Sequence, residues 1–372
     1  MKFLLAPDKF KGSLTARSVC DAMTEGIRLA DPQAEIIALP MADGGEGTAE
    51  VLTLAAGGDW LAVSALDPLG RPIQASYGIS AEGQTAFIEM SQASGLRLLQ
   101  RDEYDPLKAS TYGTGQLILD AKNRGVNRLI LGIGGSATND GGTGLAAALG
   151  WQFLDETGKP VEPCGGNLSR ISRMVPPGQA FAMQVDVACD VTNPLYGPNG
   201  AAAIYGPQKG ASPEMVEQLD QGLRHLASLI REQFGVDLAN VPGAGAAGGL
   251  GAGALFFLNA RLKEGVNVVM EQTRFTDHLD GVDLVLTGEG KLDNQTLQGK
   301  LIHGIAQQAR TQAIPTIALC GTLEAGPEAI QALGLTAAFS VLNRPQSLDE
   351  ALNNAYDAVR QTTFNVIRLL LN

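Results

Sequence analysis

Short apolar runs rich in branched side chains alternate along the chain with stretches whose apolar residues recur every three or four positions, which is the pattern of an α/β fold. The run FLLAP is apolar on both faces, as a strand inside a parallel sheet must be, and it ends in a loop carrying Asp8. Residues 16–29 then place Val19, Ala22, Met23, Gly26 and Ile27 on one helical face, with Thr15 positioned as the cap. EIIALP predicts a second strand, MADGGEG its loop, and residues 47–56 a second helix. Both loops leave the carboxyl ends of parallel strands, where open sheets bind ligands. Near the end of the chain GVDLVLTGEGKLD, GKLIHGIAQQAR and IPTIALCGTL repeat strand, helix and strand. Between residues 73 and 89, PIQASYGIS and TAFIEM change to short alternating strands, and DPLGRP just before them reads as a domain crossing. The pattern predicts a doubly wound, mostly parallel-sheet domain of residues 1–72 and 276–372, with a second α/β domain, 73–275, inserted into it.

Composition narrows the function classes. A chain of 372 residues with 27 basic and 39 acidic side chains, net −12, repels polyanions at long range, so nucleic acid is excluded as a main partner. Four cysteines (Cys20, Cys164, Cys189 and Cys320) form no C-x-x-C pair, and three histidines cannot build a histidine-rich metal centre. Asp8, Lys9 and Lys11 interrupt the apolar start too early for a signal sequence or a membrane span, and the expectation is a cytoplasmic protein without a membrane partner.

The loops carry the chemistry. After the run RLILG comes GIGGSATNDGGTG, whose glycines let backbone N–H groups approach phosphate oxygens. Ser136, Thr138 and Asn139 can add donors there, and Asp140 can face a metal or a hydroxyl. PDKFKGS sets Asp8, Lys9 and Lys11 after one strand, and ADGGEG sets Asp43 and Glu46 after another. Asp186 and Asp190 follow a third apolar run, and TGEGKLDNQTLQGK places Glu289, Lys291, Asp293 and Lys300 after a fourth. Carboxylates can position Mg²⁺ or take a hydroxyl proton while lysines balance phosphate charge. Four such loops fit phosphoryl transfer better than hydride transfer. G-x-x-x-x-G-K-[ST] is absent, and the G-x-G-x-x-G at Gly243, Gly245 and Gly248 follows a proline and only a doubtful strand, which leaves an NAD-dependent hydroxy-acid dehydrogenase or a small-ligand-binding regulator as weaker alternatives.

The segments LLAPDKFKGSLTA, LPMADGGEGTAEVL, LGIGGSATNDGGTGLAAALG, CDVTNPLYGPNGAAAIYGPQKGA and LTGEGKLDNQTLQGK resemble, in order and across the chain, the signatures of the bacterial type-one glycerate kinases. The resemblance implies a two-domain α/β enzyme with its active site in the cleft between the domains, ATP and Mg²⁺ as cofactors, and D-glycerate as substrate. One departure is Lys9 with Gly12, where some members read PDSFKES; this shifts weight to Asp8 and Lys11. Under that resemblance Lys11 and, more weakly, Arg71 bind the substrate carboxylate, with Asp8 and Asn193 beside them. Asp190 or Asp43 takes the hydroxyl proton, with Asp190 preferred, and Asp43, Asp140 and Asp293 are the metal candidates. Gly134, Gly135 and Ser136, with Thr138, Asn139 and Glu289, form the nucleotide site, and Lys209, Lys291 or Lys300 offsets the charge of the transferred group. The implied product is 2-phospho-D-glycerate, with 3-phospho-D-glycerate as the alternative, from a monomer or homodimer.

Overall fold

A computed structural model describes residues 1–179, 181–293 and 301–371. Strands β1 (Lys2–Leu5) and β2 (Glu35–Ala38) open the chain. Then come β3 (Asp59–Leu66), β4 (Pro72–Ile79), β5 (Thr85–Glu89), β6 (Arg128–Gly132), β7 (Gln152–Leu154), β8 (Arg173–Val175), β9 (Gln184–Ala188) and β10 (Arg261–Lys263). Strands β11 (Leu284–Leu292), β12 (Thr316–Leu323) and β13 (Ala337–Ser340) close it. The chain divides into two units, Met1–Asp43 with Val266–Asn372, and Gly44–Gly265.

The first unit is a five-stranded, all-parallel sheet of order β13-β12-β11-β1-β2. Numbered within the unit this is 2-1-3-4-5 read from β2, with the strand order reversing between β1 and β11. Phe3, Leu4 and Leu5 are wholly buried because helices cover both faces. Helix Ala16–Ala30 starts where Thr15 accepts a hydrogen bond from Ser18 N and buries Val19, Met23 and Ile27 with helix Ala355–Leu370 against one face. Each of those side chains contributes about 1.5–3 kcal/mol. Helix Leu301–Thr311 covers the other face through Ile302 and Ala306.

The second unit is a six-stranded sheet of order β10-β9-β6-β5-β4-β3, antiparallel at β3, β4 and β5 and parallel from β5 to β10. Strands β7 and β8 form a separate pair. Residues 44–72 join this unit instead of the first, and residues 266–275 join the first. The reason lies in pairing. Strand β3 pairs with β4 along its whole length, and DPLGR is the reverse turn between them: Asp67 Oδ1 accepts from Leu69 N at 2.8 Å and Arg71 N at 2.9 Å, and Gly70 sits at φ +82°. Helix Thr48–Ala55 packs on β4 and β5, and Glu89 Oε1, at the end of β5, accepts from Ala49 N at 3.0 Å where no side chain of the helix itself caps it. Among the described residues no helix is long and apolar enough to cross a membrane.

Candidate functional site

In the first unit the reversal of strand order between β1 and β11 opens a cavity of about 630 Å³ at the carboxyl ends of the strands. Asp8, Lys9, Lys11, Asp43, Glu289 and Lys291 line it, so the structure brings these predicted residues to one place. Asp8 continues the β1 pairing, its N–H donating to Gly288 O at 2.8 Å, and its Oδ1 accepts from Lys9 N at 2.7 Å. Burial, with the charge of Asp43 adding to it, pushes the Asp8 carboxyl up to about 7. Lys11 is exposed and forms no ion pair with a described residue. Lys291 is already engaged, 2.8 Å from Glu324 and 3.3 Å from Asp293, and these partners hold its ammonium above the ordinary lysine range. That engagement argues against Lys291 as a free catalytic cation and gives Asp293 a cationic partner. Lys300 lies outside the described residues. Among the described residues no three His, Cys, Asp or Glu side chains are arranged to hold a metal. The donor set of Asp8, Asp43 and Glu289 is nonetheless the hard-oxygen kind that suits Mg²⁺, which commonly takes one or two carboxylates and completes its shell with phosphate and water.

The glycine loop after β6 is organised differently from what its sequence suggests. Gly134 and Gly135 are exposed, while everything from Ser136 to Ala146 is buried. Asp140 is fully buried, and its carboxylate accepts from Thr111 N and Thr111 Oγ1, both at 2.7 Å, from Gly142 N at 3.1 Å and from Gly144 N at 3.2 Å. Burial raises its pKa while those four bonds oppose the rise. The anion position at the start of the six-residue helix Thr143–Ala148 is therefore filled by the protein's own carboxylate, and Asp140 holds the loop.

Lys209 is 1 % exposed, and its Nζ donates to Ser136 Oγ at 2.8 Å and Thr138 O at 2.6 Å. Burial pushes its pKa down to about 7. Ser136 and Lys209 are thus bonded to each other. Thr138 Oγ1 and both amide atoms of Asn139 are buried without a partner, so neither side chain reaches the loop surface. Gly248, at φ +70°, packs so closely that a Cβ would strike Thr138 O, and its own O accepts from Gly141 N at 3.0 Å. The Gly243–Gly245–Gly248 match serves that close packing, which removes the dinucleotide reading.

What remains for a ligand is the backbone of Gly134 and Gly135, whose N–H groups make no hydrogen bond within the described residues, and Gly135 at φ +72°. Two adjacent amides suit a single oxyanion group better than a polyphosphate. Beside them, and missed in the sequence, stands Arg97. Leu96 N donates to Gly135 O at 3.0 Å, and Arg97 Nε donates to Ser91 O at 3.3 Å. Its side chain is 43 % exposed, and among the described residues its guanidinium has one ion pair, a loose 3.5 Å pairing to Glu46. The available signal was the polar sequence EMSQAS after the apolar TAFI, at the end of a strand neighbouring β6.

The other predicted residues of this unit have local partners. Asp190 Oδ1 accepts from Gly265 N at 2.8 Å, which fixes a half-buried carboxylate; a Cβ on Gly44 would come 3.4 Å from its Oδ2. Asn193 donates through Nδ2 to Asn199 O at 2.9 Å and accepts from Tyr205 OH at 2.7 Å, so its amide braces the loop after β9. Arg71 pairs with Glu103 and with Asp67 of its own turn, and these hydrogen bonds hold its guanidinium even more firmly charged.

The family model described as the glycerate kinase family matches residues 3–371. A glycerate kinase of Halalkalibacterium halodurans is 46 % identical over 98 % of this chain and 96 % of its own length. A glycerate 2-kinase of Escherichia coli is 43 % identical over 100 % and 98 %. The crystal structure of a glycerate kinase 2 candidate from Salmonella typhimurium LT2 superposes with a TM-score of 0.91 at 42 % identity, covering 100 % of this chain and 98 % of the other. With sequence and fold matched from end to end, the chain belongs to the glycerate kinase family.

Proposed function

We propose that this protein transfers the terminal phosphoryl group of ATP to the 2-hydroxyl of D-glycerate, giving 2-phospho-D-glycerate and ADP. The observation that carries the 2-position is the full-length, 43 % identical relative described as a glycerate 2-kinase. The O–P bond to glycerate forms as the bond to ADP breaks, and the hydroxyl proton leaves for a carboxylate. Asp190, oriented by Gly265 N, is the proposed acceptor of that proton. The amides of Gly134 and Gly135 with the guanidinium of Arg97 receive the substrate carboxylate, for which an arginine fork is better shaped than an ammonium. In the first unit Lys11 meets phosphate charge. Asp43, with Asp8 or Glu289, would hold Mg²⁺, which supplies charge neutralisation to the transferring group. Consumption of ATP and a diffusible organic acid suits a cytoplasmic enzyme.

The test couples the reaction to enolase without phosphoglycerate mutase and follows phosphoenolpyruvate. Signal without the mutase is the expected result. Signal only after mutase addition means that the 3-hydroxyl was attacked, and absence of glycerate-dependent ADP release removes the kinase reading.

A further inference from the structure

The cavity of the first unit is lined by two kinds of side chain, and the charged ones alone do not explain it. Beyond the carboxylates and lysines its wall is made by Phe10, Val341, Leu342, Leu348, Leu352 and Ala355, from the loop after β1, the segment after β13, and helices Leu348–Asn353 and Ala355–Leu370. Leu348 is 72 % exposed and Leu342 41 %, a steep cost in hydration for two leucines on one recess. Thr322 and Gln346 add a hydroxyl and an amide to the same lining. D-Glycerate has three carbons, all bearing oxygen, and no apolar face to set against such a wall. A nucleotide does: a flat ring system of low polarity joined through a sugar to a polyanion. The volume of about 630 Å³ lies within the range of small-molecule sites, about 300–1,000 Å³.

We propose that this recess is the nucleoside subsite, with the purine against Leu342, Leu348 and Leu352 and the phosphates toward Lys11. The inference rests on the ATP-dependent reading above and adds where the nucleoside is held. It assigns a role to the segment after β13, which no motif had singled out. Three features support this placement: the reversal of strand order, the apolar wall, and Lys11 in the lining of the same cavity, exposed and without an ion pair to a described residue.

The experiment is calorimetric titration of the full chain, without glycerate, with Mg²⁺–ADP and separately with adenosine. The proteins are the wild type, Leu348→Glu, Leu342→Glu and Lys11→Ala. All three side chains are exposed, and Glu at the first position of helix Leu348–Asn353 is favourable for the helix, so the variants are expected to fold. The two leucine variants should weaken ADP and adenosine alike, by about ten-fold. Lys11→Ala should weaken ADP by a similar factor and leave adenosine unchanged. In turnover, KM for ATP should rise in the leucine variants while KM for glycerate stays within about two-fold. Unchanged ADP affinity in both leucine variants, or a rise in KM for glycerate alone, overturns the subsite and leaves the kinase reading standing. A wild type that binds no ADP and releases none from ATP overturns both.

Discussion

The loop after β1 and the loop after β6 both leave the carboxyl ends of parallel strands, and both are dense in polar residues. In the first, Lys11 is exposed and has no ion pair with a described residue, and Asp8, Asp43 and Glu289 line one cavity with it. In the second, Asp140 is buried and bonded to Thr111 and to the loop's own backbone, and Ser136 is buried and bonded to the buried Lys209 from Pro207–Lys209, leaving only Gly134 and Gly135 at the surface. A motif rich in glycine and polar side chains can therefore be an internal scaffold that presents two backbone amides. A plainer run of charges can be the part that meets the ligand. Burial separates the cases for Asp140, Ser136 and Lys209, whose charged or polar atoms find their partners within the protein.

The largest effect expected from this contrast is at Asp140 and Asp43, two of the three aspartates expected as metal ligands. Asp140→Ala leaves four buried donors without an acceptor and should destabilise the protein by about 3–5 kcal/mol, read as a large fall in melting temperature. Asp43→Asn should raise the Mg²⁺ concentration for half-maximal turnover by about ten-fold, one lost carboxylate ligand. A reversal of the two phenotypes would exchange the roles. Next in size is Lys11→Ala. With no ion pair to lose, it should not shift melting, while kcat/KM for ATP falls by about ten- to a hundred-fold.

A smaller effect concerns pH. The folded Lys209 releases its proton near pH 7, against an ordinary value of 10.5. Between those values the unfolded chain binds the proton that the folded chain has lost, so this group makes stability rise with pH across the window. Below pH 7 both states are protonated and the penalty for the buried charge is complete. The melting temperature of wild type minus that of Lys209→Gln should grow from pH 7 to 9.5. A constant difference would mean that the buried ammonium keeps its proton.

The sequence made the parallel-sheet layers readable because FLLAP and its helix at 16–29 follow the two periodicities closely; the helix is Ala16–Ala30. It misled at DPLGR, since proline, glycine and aspartate serve domain linkers and hairpin turns equally, and only the pairing of β3 with β4 decides between them. The charged loop of the first unit was legible as a cluster because consecutive strand ends converge. The inward direction of Asp140 and Lys209 was not, because a residue's neighbours in sequence do not report what packs over it. Arg97 and Glu89 escaped notice for the complementary reason: each lies in a segment with no glycine signature, beside a loop that has one.

The most direct test of the difference between the two loops is steady-state kinetics of Ser136→Ala, followed with thermal melting of the same sample. Ser136 is 6 % exposed and its hydroxyl accepts from Lys209 Nζ. If the buried side chains hold the loop and only the Gly134–Gly135 backbone meets ligand, the variant loses about 1–2 kcal/mol of stability while KM for ATP and for glycerate stay within about two-fold. An unshifted melting temperature with either KM raised by about ten-fold or more would place the hydroxyl on a ligand and contradict the scaffold role of the loop.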